Sequence, residues 1–142
     1  MAPLERLARF NLWGMCPAYV VYFAVQIGFP TWLTTTPQRL AWFAAIAGVH
    51  AAVYLAGLFV VNRKEHGEAL LADERDRAIE ARANRLAYYL LMSGLVVVGM
   101  IMPFGDAGWK IVNAAVLAIV CAETLRHLLI VQGYRGTPRL AH

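Results

Sequence analysis

Charged side chains are scarce in this sequence of 142 residues. Asp, Glu, Lys and Arg together make up 15% of the chain, hydrophobic residues make up 60%, and the mean hydropathy is +0.53. Water-soluble domains carry about one quarter charged residues, and a domain this small buries too little of its surface to hide so many apolar side chains. The composition therefore excludes an ordinary soluble domain and indicates a protein surrounded by a lipid bilayer.

Cysteine is nearly absent as well. The only two cysteines, Cys16 and Cys121, fall inside apolar runs, which excludes the disulfide framework of small secreted domains. Ligand spacings such as Cys-x-x-Cys and His-x-x-x-His do not occur, and neither do a glycine-rich phosphate loop, a nucleophile elbow or a zinc-protease motif. We therefore expect no metal or other cofactor, no catalytic residue and no enzymatic activity.

The sequence contains several long apolar runs. About 20 mostly apolar residues are needed to cross the hydrocarbon core of a bilayer. Four runs qualify, at residues 10–29, 40–61, 86–102 and 111–131. The first continues to Phe29 without a small-x-small cleavage site, so we expect a retained span and not a cleaved signal peptide. The short links contain the helix stops Pro30 and Pro103, and a longer polar segment, 62–85, joins the two halves. We predict an all-α integral membrane four-helix bundle of two helical hairpins, forming a single transmembrane domain over residues 1–142.

Positive charges are unevenly distributed along the chain. The termini and the segment 62–85 hold Arg6, Arg9, Arg63, Lys64, Arg75, Arg77, Arg82, Arg85, Arg135 and Arg139. The two short links hold only Arg39 and Lys110. Because short, positively charged loops stay in the cytoplasm, we expect both termini and the segment 62–85 on the cytoplasmic side of a bacterial inner membrane.

The stretch that enters the third span begins with charge and ends with apolar residues. Asp73 is a good N-cap, and acids precede arginines in the order that suits a helix dipole. No proline interrupts residues 72–102, so we predict one helix whose first part projects about 15 Å into the cytoplasm. This part is a candidate surface for binding a cytosolic protein, with the acids as the elements free to face a basic partner. The candidate residues are Asp73, Glu74, Arg75, Asp76, Arg77 and Glu80. The alternative is a solvated helix end that carries topological charges.

The same stretch, "DERDRAIEARANRLAYYLL", resembles the signature of a family of small, uncharacterised bacterial and archaeal membrane proteins with four spans, a domain of unknown function. The matching positions are Asp73, Glu74, Arg75, Asp76, Ile79, Ala83, Arg85, Ala87, Tyr88 and Tyr89. Members of that family are often encoded beside small DNA-binding regulators. The resemblance therefore implies a membrane protein that binds and sequesters a transcription regulator, itself making no direct contact with nucleic acid. It brings no catalytic residue.

Two stripes of small residues recur at a spacing of four. The second span has Ala44, Gly48, Ala52 and Ala56, and the fourth has Ala114, Ala118 and Ala122. Small residues let helices approach closely in lipid, where the hydrophobic effect does not drive helix association. The stripes predict helix packing within one bundle, or alternatively the seam of a homodimer.

Few polar side chains fall inside the spans, and such residues are functional candidates by default. They are His50 in the second span and Glu123, Arg126 and His127 in the fourth. Glu123 is placed to pair with Arg126 or His127 on its own helix, at spacings of three and four. The alternative is a proton or cation site that Glu123 shares with His50, which would make the protein a small oligomeric solute or cation transporter.

Overall fold

A computed structural model describes residues 3–29, 31–64, 74–106 and 108–135. Every regular element in these residues is helical. The four α-helices are α1 (Pro3–Gly28), α2 (Thr36–Lys64), α3 (Glu74–Val96) and α4 (Trp109–Arg135). The all-α prediction is thereby confirmed for the described part of the chain.

Each helix meets the length and hydropathy needed to cross a membrane. The apolar spans are Leu4–Gly28, Thr36–Val60, Glu74–Phe104 and Trp109–Arg135. The prediction of four spans in a multi-pass membrane protein is consistent with this finding. The helices begin earlier or end later than the apolar runs, because polar residues at their ends continue the helical turns.

α3 runs into a π-helical turn, Val97–Ile101, and then into a 3-10 turn, Met102–Phe104. The N–H of Met102 donates to the carbonyl of Val97, five residues earlier. Pro103 follows directly and has no N–H to donate, which ends the regular α-helical pattern. Helical structure therefore continues as predicted to Met102, but with a changed turn. The predicted start at Ala72 and the N-cap Asp73 lie outside the described residues.

The chain divides into two compact units, Met1–Leu70 and Leu71–His142. They correspond to the two predicted hairpins, with α1 packed on α2 and α3 packed on α4. The grouping of both hairpins into one transmembrane domain stays a prediction.

Glycines bring α1 and α2 close together in the first unit. A Cβ added to Gly14 would lie 2.2 Å from Cγ1 of Val53, and a Cβ added to Gly57 would lie 2.6 Å from Cδ1 of Phe10. Ordinary carbon contacts are about 3.5–4.0 Å. Each glycine therefore admits the side chain of the opposite helix at a distance where a larger residue would force that side chain or the helices to move.

The small-residue stripe of α2 does not lie in this contact. All four of its members are exposed, and a Cβ added to Gly48 meets no atom within 4 Å. The α2 residues that meet α1 lie on the opposite side of the helix, since successive residues are about 100° apart. They are Phe43, His50, Val53 and Gly57. The stripe therefore does not pack the α1–α2 hairpin, and its role as a seam stays a prediction.

The α4 stripe does take part in packing in the second unit. A Cβ added to Gly94 of α3 would lie 2.7 Å from Cβ of Ala118, and Ala122 is 4% exposed. Nearer the other end of the hairpin, a Cβ added to Gly133 would lie 2.7 Å from Cγ2 of Ile79. These two contacts set the antiparallel register in which the charged start of α3 lies beside the end of α4.

Candidate functional site

The charged start of α3 packs against the last turns of α4. Ala83 and Ala87 form its buried side, at 1% and 7% exposure, and Ile79 lies one turn earlier against Gly133. These three α3 residues follow a spacing of four, which places them on one face of the helix. The apolar stripe is short, and polar contacts between α3 and α4 accompany it.

Arg126 of α4 is the centre of these polar contacts. Its Nε donates to Oδ1 of Asn84 at 2.7 Å, and its Nη2 lies 3.5 Å from Oε1 of Glu80, so it reaches two side chains of α3. Its Nη1 also lies 3.5 Å from Oε2 of Glu123 on α4. A planar guanidinium with five N–H donors suits such a junction better than a lysine ammonium would. We refer to Arg126, Asn84, Glu80, Glu123 and His127 as the Arg126 cluster.

His127 completes the Arg126 cluster on the buried side. It is 6% exposed, and its Nε2 lies 3.7 Å from Oε2 of Glu123. The carboxylate of Glu123 therefore lies between a guanidinium and an imidazole of its own helix. This is the self-paired arrangement that the spacing of three and four residues predicts, and the structure adds the link through Arg126 to α3.

A second polar contact holds the first turn of α3. The hydroxyl of Tyr134 donates a short hydrogen bond to Oδ1 of Asp76. The guanidinium carbon of Arg75 lies 5.8 Å from the centroid of the Tyr134 ring, within the range of a cation–π contact. Tyr134 thus binds two neighbouring charged residues of α3, one through its hydroxyl and one through its ring face.

These contacts divide the predicted partner-binding residues into two groups. Arg75, Asp76 and Glu80 are engaged with α4, so two of the acids expected to be free are not free. Glu74 and Arg77 are exposed on the other side of α3. Asp73 lies outside the described residues.

Sequence reasoning missed Asn84 and Tyr134. Asn84 lies 42 residues from its partner along the chain, and Tyr134 lies 58 residues from Asp76. Only the register of the hairpin brings such pairs together. An antiparallel alignment of the small residues Gly94 and Ala118 in the sequence would have indicated that register.

His50 has a different environment in the first unit. Its ring lies edge-on to the ring of Tyr19, with 5.6 Å between the centroids. The predicted site that combines His50 with Glu123 stays a prediction. The first unit also buries two polar residues that sequence reasoning did not single out, Glu5 at 9% exposure and Asn11 at 1%. Glu5 pairs with Arg9 at 2.7 Å.

Within the described ranges, no group of three or more His, Cys, Asp and Glu side chains is arranged to hold a metal ion. No family model, curated protein or solved structure matches the chain. The candidate site is therefore defined by its own geometry: a charged helix start that α4 fixes in place and that keeps one face open.

Proposed function

We propose that this chain is a bacterial inner-membrane protein that binds a cytosolic protein on the exposed face of the α3 start. Both termini and residues 62–85 lie in the cytoplasm, which is supported by the clustering of arginines there and by the four apolar spans. The four helices form one bundle, and α3 extends beyond it. α3 and the two turns that continue it, Glu74–Phe104, comprise 31 residues and measure about 46 Å, which exceeds the hydrocarbon core of about 30 Å by about 16 Å.

The observation that carries the proposal is the attachment of the α3 start to α4. A solvated helix end would need no partner and would fray. Here Tyr134 holds Asp76, and Arg126 holds Glu80 and Asn84. A surface that is ordered before binding loses less conformational entropy when a partner docks. The contacts therefore support a docking surface over a solvated end.

The docking face consists of Glu74, Arg77, Ala78 and Ala81. All four are exposed, and at about 100° per residue they lie on the side of α3 away from α4. One acid and one arginine precede two small residues on this face, so a partner can approach the helix closely and contact charges of both signs. Such mixed charge favours selective and salt-dependent association.

The class of partner comes from the family resemblance, which implies a DNA-binding regulator held at the membrane. The charges of the docking face add little to that choice, because Asp76 and Glu80 are directed toward α4. Sequestration would keep the regulator from its DNA by holding it at the membrane, and it would not require an acidic surface that mimics DNA.

The orientation is tested with single cysteines at positions 67 and 105, in a chain whose Cys16 and Cys121 are replaced by alanine. In intact cells, a membrane-impermeant thiol reagent is expected to label the cysteine at 105 and not the one at 67. Permeabilised cells serve as the control, because both positions should then react. Labelling of position 67 alone in intact cells would show that the orientation in the membrane is the reverse of the one proposed.

The docking face is tested by photo-crosslinking in cells. A photoreactive amino acid at Ala78 is expected to capture one cytosolic protein, identified by mass spectrometry. The charge swap Glu74→Lys with Arg77→Glu should lower the yield about tenfold, because like charges then face each other across the interface. Raising the salt in isolated membranes should also lower it, since exposed charges are screened over about 10 Å at 0.1 M.

The matched control is the swap Asp106→Lys with Lys110→Asp, which exchanges an existing exposed pair at the other end of the hairpin. It should leave the crosslink unchanged. A crosslink at Ala78 that survives the Glu74 and Arg77 swap at full yield refutes the electrostatic docking face. The absence of any crosslinked protein leaves the solvated helix end as the better interpretation.

A further inference from the structure

A second exposed surface of α3 lies closer to the apolar span than the docking face does. It consists of Arg82, Arg85, Tyr88 and Tyr89, all of them exposed, and we refer to it as the arginine–tyrosine face. At about 100° per residue these four side chains fall within a sector of about 120°. The sector is centred opposite to the buried residues Ala83 and Ala87.

The two nearest acids, Asp76 and Glu80, lie on the other side of the helix, toward α4. Glu80 is paired with Arg126, and residues 81–89 contain no Asp or Glu. Neither Arg82 nor Arg85 forms an ion pair with another residue in the described part of the chain. Because Asp76 and Glu80 are directed toward α4, the positive charge of Arg82 and Arg85 on the outward side has no acid in the adjacent helical turns.

The position of Arg82 and Arg85 along α3 indicates which groups their positive charge can contact. Arg85 is the last charged residue before an uncharged stretch, residues 86–104. The arginine–tyrosine face therefore lies at the border between the polar and apolar parts of the helix. Tyrosine rings favour the level of the lipid head groups, and guanidinium groups match the geometry of phosphate oxygens.

We propose that the arginine–tyrosine face binds the head group of an anionic phospholipid. Arg82 and Arg85 are three residues apart, with about 5–6 Å between their Cβ atoms, so both guanidinium groups can reach one phosphodiester. Tyr88 and Tyr89 lie one turn further into the apolar part, beside the glycerol and the first acyl carbons. This site is separate from the docking face and does not depend on a protein partner.

The site is tested on the purified full-length protein in a neutral detergent, with native mass spectrometry as the readout. The probes are dioctanoyl-phosphatidylglycerol, dioctanoyl-phosphatidylcholine and sodium phosphate. The anionic lipid is expected to bind at least tenfold more tightly than the zwitterionic one. Each arginine should contribute about fivefold, so Arg82→Gln with Arg85→Gln should weaken binding of phosphatidylglycerol about 25-fold and leave phosphatidylcholine unchanged.

Two further variants separate the site from general charge attraction. Lys110→Gln removes one positive charge at the opposite end of the hairpin and should change phosphatidylglycerol binding less than twofold. Arg85→Gln alone, which removes the same amount of charge, should weaken it about fivefold. If the double variant fails to fold, as judged by circular dichroism without lipid, the comparison of these single variants decides.

Three results would overturn the proposal. Equal affinity for the two lipids would remove the requirement for negative charge. Equal losses from Lys110→Gln and Arg85→Gln would show that the attraction is not local to this face. Displacement of the lipid by an equal concentration of sodium phosphate would assign the arginines to a soluble anion.

Discussion

The contact between Gly94 and Ala118 gives the sharpest test of the α3–α4 packing. In Gly94→Ala the new Cβ would lie 2.7 Å from Cβ of Ala118 and 3.7 Å from its Cα. Relief of this contact requires a separation of about 1 Å. The alanine methyl has no rotamer to escape into, so the helices themselves must move apart.

The expected loss of stability in Gly94→Ala is obtained by comparison with a glycine whose surroundings have space for a methyl group. Overpacking costs about 1–3 kcal/mol, while alanine gains up to about 1 kcal/mol over glycine in helix propensity. Gly99→Ala, in the π-helical turn that continues α3, meets no atom within 4 Å and should therefore carry no overpacking cost. The two variants should therefore differ by about 1–3 kcal/mol in the free energy of unfolding.

The assay is unfolding by sodium dodecyl sulfate from neutral micelles. With the other three tryptophans replaced by phenylalanine, the fluorescence of Trp109 at the start of α4 reports on this unit. Ala118→Gly should restore stability when combined with Gly94→Ala, because the double variant moves the methyl group from one helix to the other. Identical midpoints for Gly94→Ala and Gly99→Ala, or a double variant no more stable than Gly94→Ala, would refute the packing argument.

The same unfolding by sodium dodecyl sulfate covers two further predictions, with Trp42 of α2 as the retained tryptophan for the first unit and Trp109 for the second. Gly14→Ala should destabilise the first unit by about 1–3 kcal/mol, since its Cβ would lie 2.2 Å from Cγ1 of Val53. The control Gly48→Ala should be neutral or slightly stabilising. Equal effects of the two substitutions would contradict the close approach of α1 and α2 at Gly14. Arg126→Gln should lower the free energy of unfolding by about 1–2 kcal/mol, because several acceptors lose their cation. Glu123→Gln should lower it by less than half of that and leave partner binding intact. A larger loss of stability from Glu123→Gln would give that carboxylate a role beyond pairing.

The helices could be predicted from the sequence because their causes are local. Apolar runs of sufficient length, prolines at their ends and the absence of strand patterns are all properties of neighbouring residues. The register of the hairpins depends instead on which small residue lies opposite which side chain. The stripe through Gly48 has the stronger periodicity, yet the contact between α1 and α2 uses Gly14 of α1 and Gly57 of α2, which follow no obvious stripe.

The prediction of the candidate site from the sequence is limited in the same way, because contacts between helices depend on the hairpin register. The pairing of Glu123 with Arg126 and His127 follows from spacing on one helix and could be predicted. The attachment of Asp76 to Tyr134 spans 58 residues and depends on the hairpin register. Charge order along α3 suggested free acids, but the hydrogen-bonding groups of α4 determine which charges remain exposed.

The dependence of the α3 start on Tyr134 has a consequence for the order of events during synthesis. Tyr134 lies 58 residues after Asp76, so at about 5–20 residues per second it leaves the ribosome roughly 3–12 seconds later. Until then Asp76 has no Tyr134 to accept from, and Glu80 has no Arg126. The nascent helix therefore exposes Asp76 and Glu80 for a short time, and both become engaged when α4 packs against it. A partner that binds the finished arrangement would distinguish completed chains from those still being made.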